Sequence, residues 1–321
     1  MYIIVLKKTT KEQIINGSLV TETVLGAEND SSNATTEANT TMWDSAKTDY
    51  AIGDIVYIDG FWAEYACLVQ GTRGVPSVSD DWVKSGTLAQ YRYRDNAPTR
   101  MSYKAINEPL ILTLNLDMST DYLFIQNLKN VSHIKIEGLN LADEVVETLE
   151  DRDLKRIVAF QKYNCCSIQY TTENFLTMPL GGCTAYQKIK ITLTPTTDKI
   201  PFVGSACVGK KWNIGCLKDY PTITPKTTAK LEMKNADFDL NTGAKYLESK
   251  IETWLDRGVE NEIDLVLMEN IGELVGFVIN EFPTKNITKF LGFYKQSPIT
   301  PEREYQKIGL DLYGIPSVRK D

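Results

Sequence analysis

The chain has 321 residues, of which 42% are hydrophobic and 24% charged, values that are ordinary for a globular protein of two or three domains with an ample core. Its net charge is −7 with acidic and basic residues well mixed, so it lacks the basic stripe that is typical of nucleic-acid-binding proteins. No apolar run approaches the roughly 20 residues of a transmembrane helix, and we therefore expect no membrane insertion.

The N-terminal segment predicts two strands followed by a loop. Residues 2–6 and 18–25 are apolar and rich in β-branched residues, and we expect a turn near Asn16-Gly17 to join them. The apolar residues at the start of the chain come before the charges, the reverse of a secretion signal, so we expect none. Residues 27–42 are small and polar without periodicity, which predicts a loop or linker.

Residues 43–86 form a segment rich in aromatic residues, with no helical spacing between them. Strands are predicted at 55–58 and 61–69, because Asp59-Gly60 between them is a strong hairpin signal. The segment closes at Trp82 and predicts a three-stranded unit. So small a unit needs large rings for its core. Three of the chain's five tryptophans fall in it: Trp43, Trp62 and Trp82.

This segment resembles the small chitin-binding type of carbohydrate-binding module. The matching residues are Trp43, Tyr50, Gly53, Asp54, Val56, Gly60, Tyr65, Pro76 and Trp82. The resemblance implies that surface aromatic rings stack on sugars, with Trp62, Phe61, Trp43, Tyr50 and Trp82 as candidate glycan-binding residues. Strand alternation places Tyr65 and Cys67 inward, so we expect Phe61 and Trp62 to be exposed. Alternatively, all these rings form a small core and bind nothing.

The block from 89 to 216 predicts one antiparallel β-sandwich. Turn residues separate its apolar runs at intervals of about ten residues, which is typical of that architecture. The predicted strands lie at 109–116, 121–127, 131–138, 144–149, 156–170 (a pair), 186–195 and 201–208.

The C-terminal third predicts a small sheet with one helix packed on it. Apolar residues recur at steps of three and four between 241 and 258, with Gly258 as the stop signal, which predicts a helix there. Strands are predicted at 265–268, 274–282, 290–294 and 305–313. The fold class is therefore mainly β. We predict three parts: 1–42 with 87–216, the aromatic segment 43–86, and 217–321.

Few residues suit catalysis or metal binding. His133 is the only histidine, which excludes zinc sites built on histidine pairs and Ser-His-Asp triads, and it lies in a strand-like run. Acid pairs such as Asp80-Asp81 and Glu260/Glu262 are typical of a solvated surface, so we expect no enzyme, metal or cofactor. The six cysteines form no CxxC pair. They are either buried free thiols or include a Cys207–Cys216 disulfide.

A second resemblance covers most of the chain. It begins at Tyr91–Asp95 and continues through 122–138, 200–215 and 302–316; its most telling pieces are Phe202–Gly209 and Trp212–Gly215. These segments are similar to a class of virion proteins of tailed bacteriophages. The resemblance implies a structural protein of the tail tip, baseplate or fibre-attachment region that assembles into a symmetric ring. Its partners would be copies of itself and other tail proteins, in a virion assembled in the host cytoplasm.

Three hypotheses about function follow from the sequence. The first is a structural tail protein, which a stable ring or complex would support. The second is an adhesion protein that binds host surface polysaccharide through the aromatic segment. The third is a polysaccharide-degrading enzyme anchored by that segment, for which no pair of catalytic residues is evident. The first two are compatible with each other.

Overall fold

The computed structural model describes residues 1–36, 39–95, 101–117, 119–159, 169–172, 175–180, 186–217, 219, 223–227, 230–234, 237–241, 245–256, 258–279, 289–296, 300–301 and 305–314. Over these residues the chain is mainly β, which confirms the predicted fold class. Within these described ranges two helices interrupt the strands: a 3₁₀ helix at Ala89–Arg94 and the α-helix α1 at Glu260–Glu269. The 3₁₀ helix was not predicted.

The strands over the described residues range from two residues, as in β4, to twelve in β24. Up to residue 126 they are β1 Tyr2–Leu6, β2 Lys8–Ile15, β3 Ser18–Leu25, β4 Ser31–Ser32, β5 Thr40–Met42, β6 Ile55–Tyr57, β7 Ala63–Cys67, β8 Trp82–Thr87, β9 Ser102–Tyr103, β10 Leu110–Asn115 and β11 Tyr122–Gln126. After it they are β12 Val131–Leu139, β13 Val145–Asp153, β14 Lys155–Ala159, β15 Gln169–Thr172, β16 Phe175–Pro179, β17 Lys188–Pro195, β18 Phe202–Val203, β19 Ser205–Asn213, β20 Cys216–Leu217, β21 Ile223–Thr227, β22 Lys230–Lys234, β23 Asp237–Asn241, β24 Lys245–Asp256, β25 Val275–Val278, β26 Lys289–Gln296, β27 Thr300–Pro301 and β28 Tyr305–Gly314.

The chain divides into two compact units. One is Lys7–Val208, and the other combines Met1–Leu6 with Gly209–Asp321. The division between them falls within β19. The three-part organisation drawn from the sequence stays a prediction.

Antiparallel sheets packed as a sandwich enclose the main core of the Lys7–Val208 unit, which ends at Val208 and so does not contain residues 209–216 of the single sandwich predicted for 89–216. Its main sheet has the strand order β13-β12-β17-β10-β4. Alternate residues of β10 and β17 face one core, and Leu112 lies directly opposite Ile191 in the antiparallel register. Side chains of β11 and β16, such as Leu123 and Leu176, complete that core from the other side. The half-buried strands therefore alternate between apolar and polar residues.

A two-stranded hairpin, β2–β3, precedes the sandwich. The turn at Asn16-Gly17 is where the sequence predicts it, with φ of 49° and 80°, the positive values that a type I′ turn requires at both positions. The turn joins β2 to β3, however, and not residues 2–6 to 18–25 as predicted. Strand β1 instead pairs with β19 and β25.

The aromatic segment folds into a sheet of four strands in the order β5-β6-β7-β8. The strands predicted at 55–58 and 61–69 are β6 and β7, and β8 begins at Trp82. Strand β5 adds a parallel edge strand paired with β6, so the sheet has four strands and not three. The predicted loop at 27–42 therefore contains strand residues at both β4 and β5, of which β4 pairs with β10.

In the second unit, consecutive neighbours in one sheet are β1, β25, β26, β28, β24 and β20. Strand β24 pairs with β28 over ten residues, from Leu247↔Gly314 to Asp256↔Tyr305. Helix α1 packs on this sheet through Ile263 and Leu267, which confirms one C-terminal helix on a sheet.

The sequence places that helix wrongly. The predicted helix 241–258 is the strand β24 over its described residues 245–256, and the predicted strand 265–268 lies within α1. The buried residues of β24 alternate strictly: Ser249, Ile251, Thr253 and Leu255. Because two of the four are polar, the period of two is hidden in the sequence, and the remaining apolar residues mimic a helical spacing.

The described cysteines are all free thiols. Cys67 and Cys207 are buried, and burial raises the pKa of Cys207 to about 12. Cys216 is exposed and free, so the alternative of a Cys207–Cys216 disulfide is wrong. Cys165, Cys166 and Cys183 lie outside the described residues. In the described part of the chain, neither helix is long and apolar enough to cross a membrane.

Candidate functional site

Five of the seven aromatic rings of the segment 43–86 lie in one core. Tyr50 and Trp82 pack edge to face, with ring centroids 5.2 Å apart and an interplanar angle of 78°. The Trp82 indole Nε1–H donates to the carbonyl of Gly74 at 2.9 Å, so its polar edge is satisfied. Trp43 is buried in the same cluster. These three candidate glycan-binding residues therefore use most of their ring surface inside the protein.

Phe61 and Trp62 are buried too, which makes the prediction of exposed stacking residues wrong. Their exposed fractions are 2% and 4%. Alternation from Tyr65 and Cys67 places Phe61 on the inward face, where it lies in one core with Val20 of the hairpin β2–β3. Trp62 lies on the other face, and its ring is covered by Arg94 of the 3₁₀ helix. Lys11 of that hairpin lies 5.6 Å from the Phe61 ring centroid and donates from Nζ to the Gly60 carbonyl at 2.8 Å.

The hairpin and the aromatic segment share their core. Val20 of β3 is fully buried in the aromatic cluster, and Ile15 of β2 packs against it. The next inward-facing residue of β3 after Val20 is Glu22, followed by Val24. All three are buried. One face of the hairpin is therefore committed to packing, and a carboxylate lies in the middle of that face.

The buried carboxylate of Glu22 holds the aromatic segment at its bend into β7. Its Oε2 accepts the backbone N–H groups of Trp62 and Ala63 at 2.9 and 3.1 Å. Its Oε1 accepts the Tyr65 hydroxyl at 2.5 Å. Burial, together with the bond to Glu22, raises the pKa of Tyr65 far above its usual value, so the phenol stays a donor. Three donors compensate one buried charge.

A buried cation, Arg94, binds the same region from the 3₁₀ helix. Its guanidinium carbon lies 5.2 Å from the Trp62 ring centroid. Its Nε and Nη2 donate to the carbonyls of Leu25 and Ala27 at 2.7 and 2.6 Å. Arg94 thus joins the end of β3, the loop that follows it and the aromatic segment, and its positive charge lies above the negative face of an indole ring.

Asp30 balances the charge of Arg94 in the loop after β3. Its Oδ1 accepts the backbone N–H of Asn115 at 2.6 Å, and its Oδ2 accepts that of Ala27 at 2.8 Å. Burial raises the pKa of Asp30, while these bonds and the charge of Arg94 oppose the rise. A carboxyl whose pKa is raised on folding disfavours the folded state increasingly as pH rises through that pKa, so Arg94 offsets a cost at neutral pH.

Sequence reasoning missed Glu22 and Arg94, although a signal for Glu22 was present. In the strand run Val20-Thr-Glu22-Thr-Val24 the glutamate shares the period-two face of two valines. A charge on the apolar face of a strand needs buried partners. Arg94 lies within the Tyr91–Asp95 segment but carries no local pattern that predicts burial.

His133 does not lie in a catalytic arrangement. His133 lies in strand β12, as expected, with Nε2 2.9 Å from Asp151 Oδ1 and Nδ1 3.0 Å from Asp153 Oδ1. These acids bind opposite edges of the ring and do not converge on a common point. Within the described residues, no cluster of three histidine, cysteine or acidic side chains could hold a metal ion.

Comparison with known proteins adds little. No family model matches the chain, and no curated protein matches it. A partial similarity exists to CBM32-1 from a family 31 glycoside hydrolase of Clostridium perfringens. It covers 37% of this chain and 83% of that module at 10% identity and a TM-score of 0.23, which is too low to support an argument about fold or ligand.

Replacement of Glu22 by glutamine tests the anchoring carboxylate. The Glu22→Gln variant keeps the shape of the side chain but places an NH2 group among three donors. We expect it to lower the free energy of unfolding by about 2 kcal/mol. Glu12→Gln, on the exposed face of the same hairpin, is the matched control and should change it by less than about 0.5 kcal/mol. Urea unfolding followed by tryptophan fluorescence measures both; equal losses would contradict the anchoring role.

Replacement of Trp62 by alanine separates packing from sugar stacking. We expect Trp62→Ala to cost about 3–5 kcal/mol of unfolding free energy, because a buried ring is removed. Tyr57→Ala, a half-buried aromatic residue on the same sheet, should cost less. A Trp62→Ala variant that is as stable as the parent, yet loses chitohexaose binding in calorimetric titration, would show that Trp62 stacks on sugar and that its burial is not essential.

Proposed function

We propose that the chain is a non-catalytic structural protein of a bacteriophage particle that assembles into a symmetric ring, in the tail tip, baseplate or fibre-attachment region. The observation that carries the assembly role is the two-faced hairpin β2–β3. Its inner face is anchored by Val20 and Glu22, while its outer face ends in an exposed apolar pair. Ile14 and Leu19 lie opposite each other in register and are 72% and 58% exposed.

This pair has the properties of an assembly contact. Each large aliphatic side chain gains about 1.5–3 kcal/mol when it is moved from water into an apolar environment. The hairpin β2–β3, called the hairpin arm below, presents the pair. Hydrogen bonds and a shared core fix the inner face of this arm, so little conformational entropy is lost on docking. A rigid arm that inserts into a different surface of the next copy gives a head-to-tail contact, and repetition of that contact closes a ring.

The location in a phage particle rests on the resemblance of Tyr91–Asp95, Phe202–Gly209 and Trp212–Gly215 to tailed-phage virion proteins. Two features of the structure are compatible with that proposal. The chain is mainly β with broad antiparallel sheets, and the aromatic segment is built into the same unit as the arm. Other tail proteins are the partners that this proposal implies, in a virion assembled in the host cytoplasm.

The mass of the full chain in solution tests the assembly role. We expect light scattering after gel filtration to give a multiple of 36.2 kDa at micromolar concentration. The double variant Ile14→Ser/Leu19→Ser should shift that mass to a single copy, because the exposed apolar pair is lost. Leu141→Ser, at another exposed leucine of the same unit, is the control and should leave the mass unchanged.

Two results would contradict the proposal: a parent chain that stays a monomer at about 100 μM, or an Ile14→Ser/Leu19→Ser variant with the parent's mass. A concentration of about 100 μM is far above a dissociation constant of about 1 μM, so a ring of that affinity would be assembled. The phage location is tested separately by cross-linking mass spectrometry of a purified particle, where links between copies of this chain and a neighbouring tail protein are expected.

A further inference from the structure

Helix α1 presents a second apolar surface to solvent, in the other unit of the chain. Its inward side is fixed, because Ile263 and Leu267 lie in the core and the Tyr294 hydroxyl donates to the Leu267 carbonyl at 2.5 Å. On the outward side Leu265 and Met268 are 59% and 61% exposed. Leu265 is half a turn from Leu267, so the helix has apolar residues on two opposite faces.

The outward apolar residues form a ridge. Leu265, Met268 and Ile271 follow one another at steps of three, the spacing of neighbours on one side of a helix. The turn continues past the helix end, because the Ile271 N–H donates to the Met268 carbonyl and the Asn270 side-chain amide donates to the Val266 carbonyl. Ile271 is 51% exposed. We call these three residues, Leu265, Met268 and Ile271, the α1 ridge.

The helix and turn that carry the α1 ridge are acidic in sequence. Residues 259–279 contain five acidic residues and no lysine or arginine. The acids are Glu260, Glu262, Asp264, Glu269 and Glu273, of which Glu262, Glu269 and Glu273 are exposed. The chain as a whole has 35 basic residues in 321, so a stretch of this length would ordinarily contain about two. The helix and the turn that follows it therefore carry only negative charges along their own sequence.

This charge decides what can cover the ridge. A two-fold contact between copies places the same patch on both sides and would bring the exposed Glu262, Glu269 and Glu273 of both copies together, which like-charge repulsion opposes by several kcal/mol. A surface that offers leucines flanked by lysine or arginine is complementary in both respects. Because ridges at steps of three and four interdigitate when helices pack, an amphipathic helix is the matching shape.

We propose that the α1 ridge is the docking site for a basic amphipathic helix of a different protein. The helix α1 has ten residues and is about 15 Å long, so three turns of the partner cover it and the contact is small. Small interfaces of this type give weak, salt-sensitive complexes. The docking site does not depend on the hairpin arm, and either contact can exist without the other.

A designed probe peptide tests the docking site on the full chain. The probe is a fluorescein-labelled peptide of about 18 residues, long enough to form a marginally stable helix, with leucine on one face and lysine on the rest. One control peptide replaces leucine by glutamine and keeps the charge; a second replaces lysine by glutamate and keeps the apolar face. Fluorescence anisotropy gives the dissociation constants at about 50 and about 300 mM NaCl, which differ in screening length.

We expect the leucine-lysine probe to bind at least about tenfold more tightly than either control peptide, and to weaken at the higher salt concentration. The variants Leu265→Gln/Met268→Gln and Glu262→Lys/Glu269→Lys should each raise its dissociation constant about tenfold or more. Leu141→Gln, which alters an exposed leucine of the other unit, should leave it unchanged. All substituted side chains are exposed or half-exposed, and circular dichroism confirms that each variant is folded before it is titrated.

Two outcomes would overturn the docking site. In one, the glutamine-lysine peptide binds as tightly as the probe, which would reduce the contact to general attraction by acidic residues. In the other, the α1 variants bind the probe as the parent does. Neither outcome bears on ring assembly, which is measured by the mass of the chain without peptide. Likewise a monomeric parent chain that binds the probe would contradict the ring while it supports the docking site.

Discussion

The buried carboxylate of Glu22 is the interaction on which the architecture of the larger unit depends. An ionised carboxylate is expensive to remove from water, and the cost is tolerable only when donors replace its hydration. Here the donors are two successive backbone N–H groups and the Tyr65 hydroxyl, all from the aromatic segment. The Glu22 carboxylate therefore has its hydrogen-bond partners only when the hairpin and the aromatic segment are assembled, so these two parts have to fold together.

This dependence changes the view of the aromatic segment. Its sequence reads as an insert that could fold alone on its large rings. In the structure Val20 of the hairpin completes the ring cluster, and Arg94 of the 3₁₀ helix lies over Trp62. The aromatic rings stabilise the segment by packing against one another, and because Val20 packs among them they also fix the position of the hairpin. An arm with one buried face and an apolar pair at its end is a suitable contact for assembly, which connects the packing to the proposed function.

Much of the fold could be predicted from the sequence, because strands with one buried face alternate visibly. Strands β10, β12 and β17 were predicted in this way to within a few residues. The prediction failed where polar residues occupy buried strand positions, as Ser249 and Thr253 do in β24. It failed again where a run of apolar residues, Leu265 to Met268, covers both faces of a short helix. Periodicity in a sequence shows which positions are apolar, and it predicts burial only where the apolar positions are the buried ones. In β24 some buried positions are polar, and in α1 some exposed positions are apolar.

The candidate site was predicted only in part, for a related reason. The aromatic residues that form a cluster could be recognised by type and spacing, but not the side of the sheet left open to solvent. That depends on the hairpin, which lies some forty residues before Phe61 and packs on it, and on Arg94, which lies over the Trp62 ring. Long-range packing of this kind leaves no local pattern, apart from the single glutamate between two inward-facing valines.

Native-state hydrogen exchange tests the central claim most directly. The amide hydrogens of Trp62 and Ala63 bond to Glu22, while those of β17 bond within the sandwich sheet. If the carboxylate unites the segment with its surroundings, both sets should exchange with the same free energy of opening, within about 1 kcal/mol. Amides of Trp62 and Ala63 that open several kcal/mol more easily, while β17 stays protected, would show that the aromatic segment unfolds as an independent module.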